Sequence, residues 1–297
     1  MDISHAEFEK ASLESQLSAD FGRPITGLQR AEGGIISETY SAEFEGEKVF
    51  IKLNDNDEVF PKEAAVLRLL KERGIPVPSV LDFKKVSNGK SAIVETAVRG
   101  ISADKIDFPE RAEIFKKAGN VVKAMHAVRL EGFGPLELKD GALHGKYQTW
   151  KEYLQEYNGS TLEYLTEHDL IGKEELSKLK DVGLELLQVE LARGSFLHRD
   201  LQGGHFFSDG GEITGIIDFG GAASGDPRFD LALARFFMSD DEWAALKDGY
   251  GPVADDPSIK EYLIAAAARK LMIRHHKQRG EDSSARAKDK FMKALHE

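Results

Sequence analysis

Strand-like and helix-like patterning are segregated along this chain, and that segregation limits its fold more than any other feature. Short β-type runs fill the first hundred residues: Ile25 to Gln29, Thr39 to Phe44, Val49-Phe50-Ile51-Lys52-Leu53, Val80 to Phe83 and Ala92 to Thr96. Turn sequences at Glu45-Gly46-Glu47-Lys48 and Ser87-Asn88-Gly89-Lys90 separate them. One helix is expected ahead of these runs and another over Pro61–Arg73, with Pro61 suited to a first turn and Gly74 to the stop. Beyond Gly100 the period changes to helical, with helices expected at Pro109–Arg129, Gln148–Tyr157, Lys173–Val189, Arg228–Met238, Ser258–Gly280 and Ser283–His296. The exceptions are two strand-like pieces, Ser195–Phe207 and Ile213–Phe219. An alternating βαβ chain would build a parallel sheet, whereas this order predicts an α+β fold. The expected division is a small antiparallel β lobe over residues 1–97 and a mainly helical lobe over 98–297, with β content confined to the first.

Composition narrows the function classes. A chain of 297 residues is long enough for two modest cores. It has no cysteine, which excludes a disulfide framework, a thiolate zinc site and a cysteine nucleophile. Forty Lys and Arg against 51 Asp and Glu leave a net charge of −11, which disfavours general affinity for nucleic acid or anionic membranes. No apolar run approaches the roughly eighteen residues of a membrane span. The opening Met1-Asp2-Ile3-Ser4-His5-Ala6-Glu7 lacks the basic-then-apolar order of a secretory signal, so a cytoplasmic protein is expected.

Four groups of residues point to phosphate chemistry. Gly33-Gly34-Ile35-Ile36-Ser37 lies between two strand runs, where glycine backbone can approach a phosphate and Ser37 can add a hydroxyl donor. By itself it reads more readily as an ordinary β-turn, and it is neither a Walker loop nor a dinucleotide fingerprint. Lys52 sits inside an apolar strand run, a costly place for an ammonium without a partner. Glu63 follows eleven residues later on a helix, and a strand lysine paired with a helix glutamate is how kinase-like sites hold α/β-phosphates. Last come His198-Arg199-Asp200 and Asp218-Phe219-Gly220, eighteen residues between the two aspartates. One carboxylate orients or deprotonates an attacking hydroxyl, and the other holds a divalent cation across the nucleotide phosphates.

With these motifs in order, the sequence resembles the aminoglycoside phosphotransferase family of the protein-kinase-like superfamily, over roughly residues 20–275. The most specific stretch runs from His198 to Leu231 and ends in Gly225-Asp226-Pro227-Arg228-Phe229-Asp230-Leu231. The resemblance implies a bilobal kinase-like fold, with Asp200 as catalytic base and Asp218 as chief metal ligand. It implies phosphate contacts from Gly33, Gly34, Ser37 and Lys52, with Glu63 orienting the lysine. Backbone near Glu95–Ala97 would meet the purine, and Asp230 would hydrogen-bond the catalytic loop. Mg²⁺ or Mn²⁺, a nucleoside triphosphate (ATP or GTP) and a small hydroxylated acceptor are the implied partners.

Two departures stand out. Most relatives read H-G-D where this chain has His198-Arg199-Asp200, and most place an asparagine metal ligand where this chain has His205. Imidazole suits Mg²⁺ less well than an amide oxygen, although a histidine here resembles the macrolide kinases of the same superfamily. Arg199 and His205 sustain the alternative of a nucleotide-binding pseudokinase with a regulatory or scaffolding role.

Only twelve residues separate Asp218 from Asp230, too few for a peptide-binding platform, so a small acceptor is expected rather than a protein. Asp240-Asp241-Glu242 and Asp255-Asp256 could attract a polycationic acceptor, but such runs more often mark helix N-termini or solvated faces. Trp150, Tyr153 and His126 are expected in packing. Adjacent His275 and His276 point to different parts of a helix and do not make a metal pair.

Overall fold

The computed structural model describes residues 5–31, 37–277 and 281–296, with side chains described from Ala11 in the first stretch and from Asp282 in the last. The chain forms two compact units. The first runs to Gly100 and takes back Thr214–Gly220, and the second holds Ile101–Ile213 and the chain from Gly221 onward.

In the first unit, helix α1 (His5–Phe21) precedes strands β1 (Ile25–Arg30), β2 (Glu38–Phe44) and β3 (Glu47–Asn54). Helix α2 (Val59–Glu72) leads to β4 (Val80–Lys85) and β5 (Ser91–Thr96). The strands form one antiparallel sheet in the order β1-β2-β3-β5-β4. Strand alternation assigns the two faces. Val49, Ile51 and Leu53 of β3, with Ala92 and Val94 of β5, join Leu17 and Phe21 of α1 in one buried cluster. The opposite face carries Ile93, packed against Phe60 and Ala64 of α2. Lys52, out of phase with Ile51 and Leu53, belongs to this second face, as does Glu95, whose register partner is Phe50.

The second unit opens with β6 (Ile101–Ser102), α3 (Glu110–His126), β7 (Arg129–Leu130), β8 (Phe133–Lys139) and β9 (Ala142–Tyr147). Then come α4 (Trp150–Glu167), α5 (Lys173–Leu186), β10 (Gly194–Leu197), β11 (Phe206–Asp209) and β12 (Glu212–Ile216), the last continuing into the first unit. The chain ends with β13 (Ala223–Gly225), α6 (Pro227–Phe237), α7 (Asp240–Tyr250), α8 (Ser258–His276) and α9 (Glu281–His296).

The α+β class holds, with the antiparallel sheet early and the helices late. The confinement of strands to the first hundred residues does not. A second five-stranded sheet, β7-β10-β13-β8-β9, lies in the helical unit. Its hairpin β8–β9 turns through Asp140 (φ 50°) and Gly141 (φ 78°), with Lys139 opposite Ala142. Two consecutive positive φ angles make the tight turn that matches strand twist, and Asp-Gly is its sequence signature. Helix α7 is also additional: Ser239 caps it and Glu242 closes a capping box, so the acidic run Asp240–Glu242 is a helix N-terminus.

An aromatic core organises this unit. Trp150 is buried against Phe133, Tyr153, Phe229 and Tyr262. Its Nε1–H donates to the Tyr262 hydroxyl at 2.9 Å, and that hydroxyl donates to Asp226 at 2.9 Å. Asp226 also caps α6 through the Arg228 amide, with Pro227 at the first helical position. A Cβ on Gly225 would overlap the Trp150 ring. Gly225→Ala should therefore cost about 1–3 kcal/mol of stability by overpacking. Calorimetry should show a lowered Tm, and the double variant with Trp150→Leu should lose less than the sum of the two single variants. Additive losses would show that the two residues do not collide.

Candidate active site

Lys52 is the charged centre of the first unit. Its Nζ lies 2.6 Å from Glu63 Oε1 and 2.9 Å from Glu95 Oε2. Glu63 arrives from α2, which covers this face of the sheet. Glu95 arrives from β5 as the diagonal neighbour of Lys52 across the strand pair, within reach of a long side chain. Burial alone would lower the Lys52 pKa, but the two carboxylates outweigh it and raise the value, fixing the ammonium.

One ammonium cannot neutralise two buried acids with Asp218 nearby. Burial first, then the charges of Glu63 and Asp218, push the Glu95 carboxyl up to about 6 against the attraction of Lys52. Glu95 Oε1 is buried with no hydrogen-bond partner among the described residues. This surplus of negative charge suits a divalent cation.

The segment carrying Asp218 is pinned within the first unit. Ile216 N–H donates to the Pro76 carbonyl at 2.9 Å, and Thr214 Oγ1 to the Arg99 carbonyl at 2.6 Å. A Cβ on Gly215 would overlap Val98, so the glycine permits the approach. Asp218 has φ 68°, a left-handed backbone in which aspartate is among the better tolerated non-glycine residues.

In the second unit, buried strand β10 delivers the turn His198-Arg199-Asp200. Asp230 of α6, fully buried, accepts from the amides of His198 (2.8 Å) and Arg199 (2.6 Å). His126 Nε2–H donates to Asp230 at 3.0 Å, and the tautomer that satisfies both contacts lets Nδ1 accept from the Tyr250 hydroxyl at 2.9 Å. His126 is thus more than packing: it holds the residue that holds the turn. Arg199 has φ 69°, which accounts for glycine being the usual residue here in the family it resembles. Its guanidinium lies over the rings of Tyr153 and Phe229, 5.8 and 5.9 Å from their centroids.

Asp200 is half-buried and densely oriented. Gln202 Nε2 donates to its Oδ2 at 3.2 Å, and Lys270 Nζ of α8 lies 3.6 Å from its Oδ1. His205 Nδ1–H donates to the Asp200 carbonyl at 2.8 Å, which leaves Nε2 to accept from Gln202 at 3.1 Å.

The structure therefore gathers Lys52, Glu63, Glu95 and Asp218 in the first unit, and Asp200 and His205 in the second. Gly33 and Gly34 lie outside the described residues. Ser37 Oγ accepts from Asn54 Nδ2 at 3.0 Å. Ala97 N–H donates to the Lys48 carbonyl and Thr96 N–H to the Ser79 carbonyl, so these two amides serve the unit itself. The motifs did not single out Gln202 or Lys270 or the ion pair of Glu95. Glutamate ending the run Ala92-Ile93-Val94 was a legible signal for a buried partner of Lys52. Lys270 carried none, because its part depends on the packing of α8. His275 Nδ1 meets the Tyr164 hydroxyl at 3.0 Å, in keeping with a structural histidine.

The raised Glu95 value has a defined effect on stability. Between the ordinary 4.5 and about 6, the folded chain keeps a proton that the unfolded chain has lost. This group therefore favours folding most at low pH, and about 2 kcal/mol is lost as pH rises through that interval. Measured from pH 4.5 to 6.5, the Tm of Glu95→Gln should rise relative to the parent. A constant difference would show that Glu95 titrates normally.

The chain matches the model of the Phosphotransferase enzyme family over residues 27–262. It is 21% identical over 275 residues to hygromycin-B 4-O-kinase of Escherichia coli, covering 87% of this chain and 77% of that protein. A crystal structure of a thermostable aminoglycoside phosphotransferase APH(4)-Ia variant with ADP and hygromycin B has a TM-score of 0.78 at 19% identity, covering 96% of this chain and 98% of that one. Macrolide 2′-phosphotransferase MphH from Brachybacterium faecium gives 0.63 at 16% identity, covering 96% and 98%. The structural likenesses establish a shared fold. The family match runs through Lys52, Asp200, Asp218 and Asp230, and this chain accordingly belongs to the phosphotransferase enzyme family.

Proposed function

We propose that this chain transfers the γ-phosphoryl group of ATP or GTP to a hydroxyl of a small molecule, in the cytoplasm. The observation that carries this reading is the Lys52 ammonium, held charged on a strand by a helix glutamate 2.6 Å away. Such a lysine is a fixed cation for nucleotide phosphates, and holding it in place spares reorganisation during reaction. The nucleotide and hydroxylated acceptor bound by a relative are consistent with it.

Asp200 is assigned as the base. Its carboxylate accepts the hydrogen bond of the acceptor hydroxyl and takes the proton as the new O–P bond forms and ADP leaves. Gln202 and the Asp230-anchored turn fix its orientation, so the contribution is chiefly positioning. Asp218 and His205 are the residues assigned to Mg²⁺ or Mn²⁺; the metal would take the Nε2 lone pair of His205 that accepts from Gln202 in its absence. A bound divalent cation supplies charge neutralisation on the β- and γ-phosphates. Gly33, Gly34 and Ser37 are assigned to the phosphates, and the Glu95–Ala97 stretch to the purine through its carbonyls rather than its engaged amides.

The regulatory pseudokinase alternative loses its main support. Arg199 is stacked on Tyr153 and Phe229, and His205 is tied into the Asp200 network. Among the described residues, no helix is long and apolar enough to cross a membrane.

Asp200→Ala should lower kcat by about 100- to 10,000-fold, the usual range for removing a general base. Nucleotide affinity, read by thermal shift with ATP and Mg²⁺, should stay nearly unchanged. Lys52→Met should weaken that affinity instead. Near-normal acceptor phosphorylation by Asp200→Ala would remove the base assignment.

A further inference from the structure

The second unit also bears on the charge of the acceptor. Four of the acids suggested by sequence for a polycation are engaged elsewhere. Asp240 pairs with Arg235 at 2.5 Å, and Glu242 closes its capping box and meets Arg111 at 3.3 Å. Asp255 pairs with Lys247, and Asp256 takes Arg228 and the Ser258 hydroxyl.

At Asp200 the balance is reversed. Lys270 approaches one carboxylate oxygen at 3.6 Å, with its Nζ 4.6 Å from the Phe237 ring centroid and 22% of its side chain exposed. Arg199, next in sequence to Asp200, has no carboxylate partner among the described residues, and its buried Nε makes no hydrogen bond. Burial lowers the Lys270 pKa, and the positive charges of Arg199 and Arg274 lower it further against the pull of Asp200. Within this unit Lys270 and Arg199 thus bring two positive charges to the carboxylate of Asp200.

We infer that the acceptor site of this unit takes a hydroxyl-bearing anion, an alcohol carrying a carboxylate or a phosphate ester, anchored by Lys270 with Arg199 behind it. The inference rests on the phosphotransferase reading and names its substrate class. An ammonium has three donors, and Lys270 spends one direction on Asp200, leaving others for an anionic oxygen. Charge-assisted bonds of this kind are roughly twice as strong as neutral ones. A polycation would instead meet Lys270 beside the reacting hydroxyl, a like-charge contact that discriminates against it. In the transfer, the acceptor O–H bond breaks and its oxygen bonds to the γ-phosphorus. The bond from that phosphorus to the bridging oxygen breaks, ADP departs, and the proton passes to Asp200. The anionic group of the acceptor is unchanged.

The test is calorimetric titration of the full chain, saturated with AMP-PNP and Mg²⁺, using gluconate, glucose 6-phosphate, glucose, glucosamine and hygromycin B. At least one of the two anions should bind about tenfold or more tighter than glucose and glucosamine, and added salt should weaken it. Which anion wins separates carboxylate from phosphate recognition. Lys270→Met should weaken that binding about tenfold and Lys270→Arg should retain most of it, with circular dichroism verifying both folds. Tighter binding of glucosamine or hygromycin B, anion binding indifferent to Lys270→Met, or no anion binding at all would each overturn the inference. AMP-PNP binding is read separately. Its absence in the parent would sink the phosphotransferase reading, while AMP-PNP binding with a preferred cationic alcohol would sink only the anionic acceptor.

Discussion

The buried carboxylate of Asp230 is the constraint on which the His198-Arg199-Asp200 turn depends. Burial works against its charge, but the hydrogen bonds from the His126 ring and the His198 amide hold its pKa below the usual carboxylate range. An ionised group without solvent must be fully satisfied, and Asp230 is satisfied by two consecutive turn amides and the His126 ring. Those bonds hold the backbone of Arg199 in a left-handed conformation that an arginine would not adopt freely. The strand before the turn is buried, as is most of the helix behind it, so the geometry of Asp200 is set by the packed interior of the unit.

The first unit uses the opposite device. Where Asp230 is balanced by neutral donors and a histidine, Lys52 is over-compensated by Glu63 and Glu95. The excess appears in the Glu95 carboxyl, which is pushed up although it touches an ammonium. Two carboxylates around one ammonium leave a negative excess that a divalent cation would neutralise. Lys52 sits on a strand and Asp200 on a turn anchored to a helix, and each is oriented by partners from other elements.

Much of this was legible in the residues. His198-Arg199-Asp200 and Asp218-Phe219-Gly220 are contiguous motifs whose chemistry follows from residue type and order. Lys52 and Glu63 were readable because an ammonium in an apolar strand demands a partner. The Asp140-Gly141 hairpin was equally available but was masked by helical patterning on either side. Glu95 was noticed for its place near the end of a strand, yet its side chain pairs with Lys52 through a diagonal that only the β3–β5 register reveals. His126 looked unremarkable because its hydrogen-bond partners lie 104 and 124 residues away and leave no local pattern.

By itself the sequence determined the α+β class and displayed the motifs that carry Asp200 and Asp218, because periodicity and contiguous motifs are local properties. Tertiary structure alone decided the second sheet, the double clamp on Lys52, the Asp230 anchor and the approach of Lys270 to Asp200. Those are contacts between distant segments, fixed by strand register and helix packing, and the free energy that selects them exists only once the chain is folded.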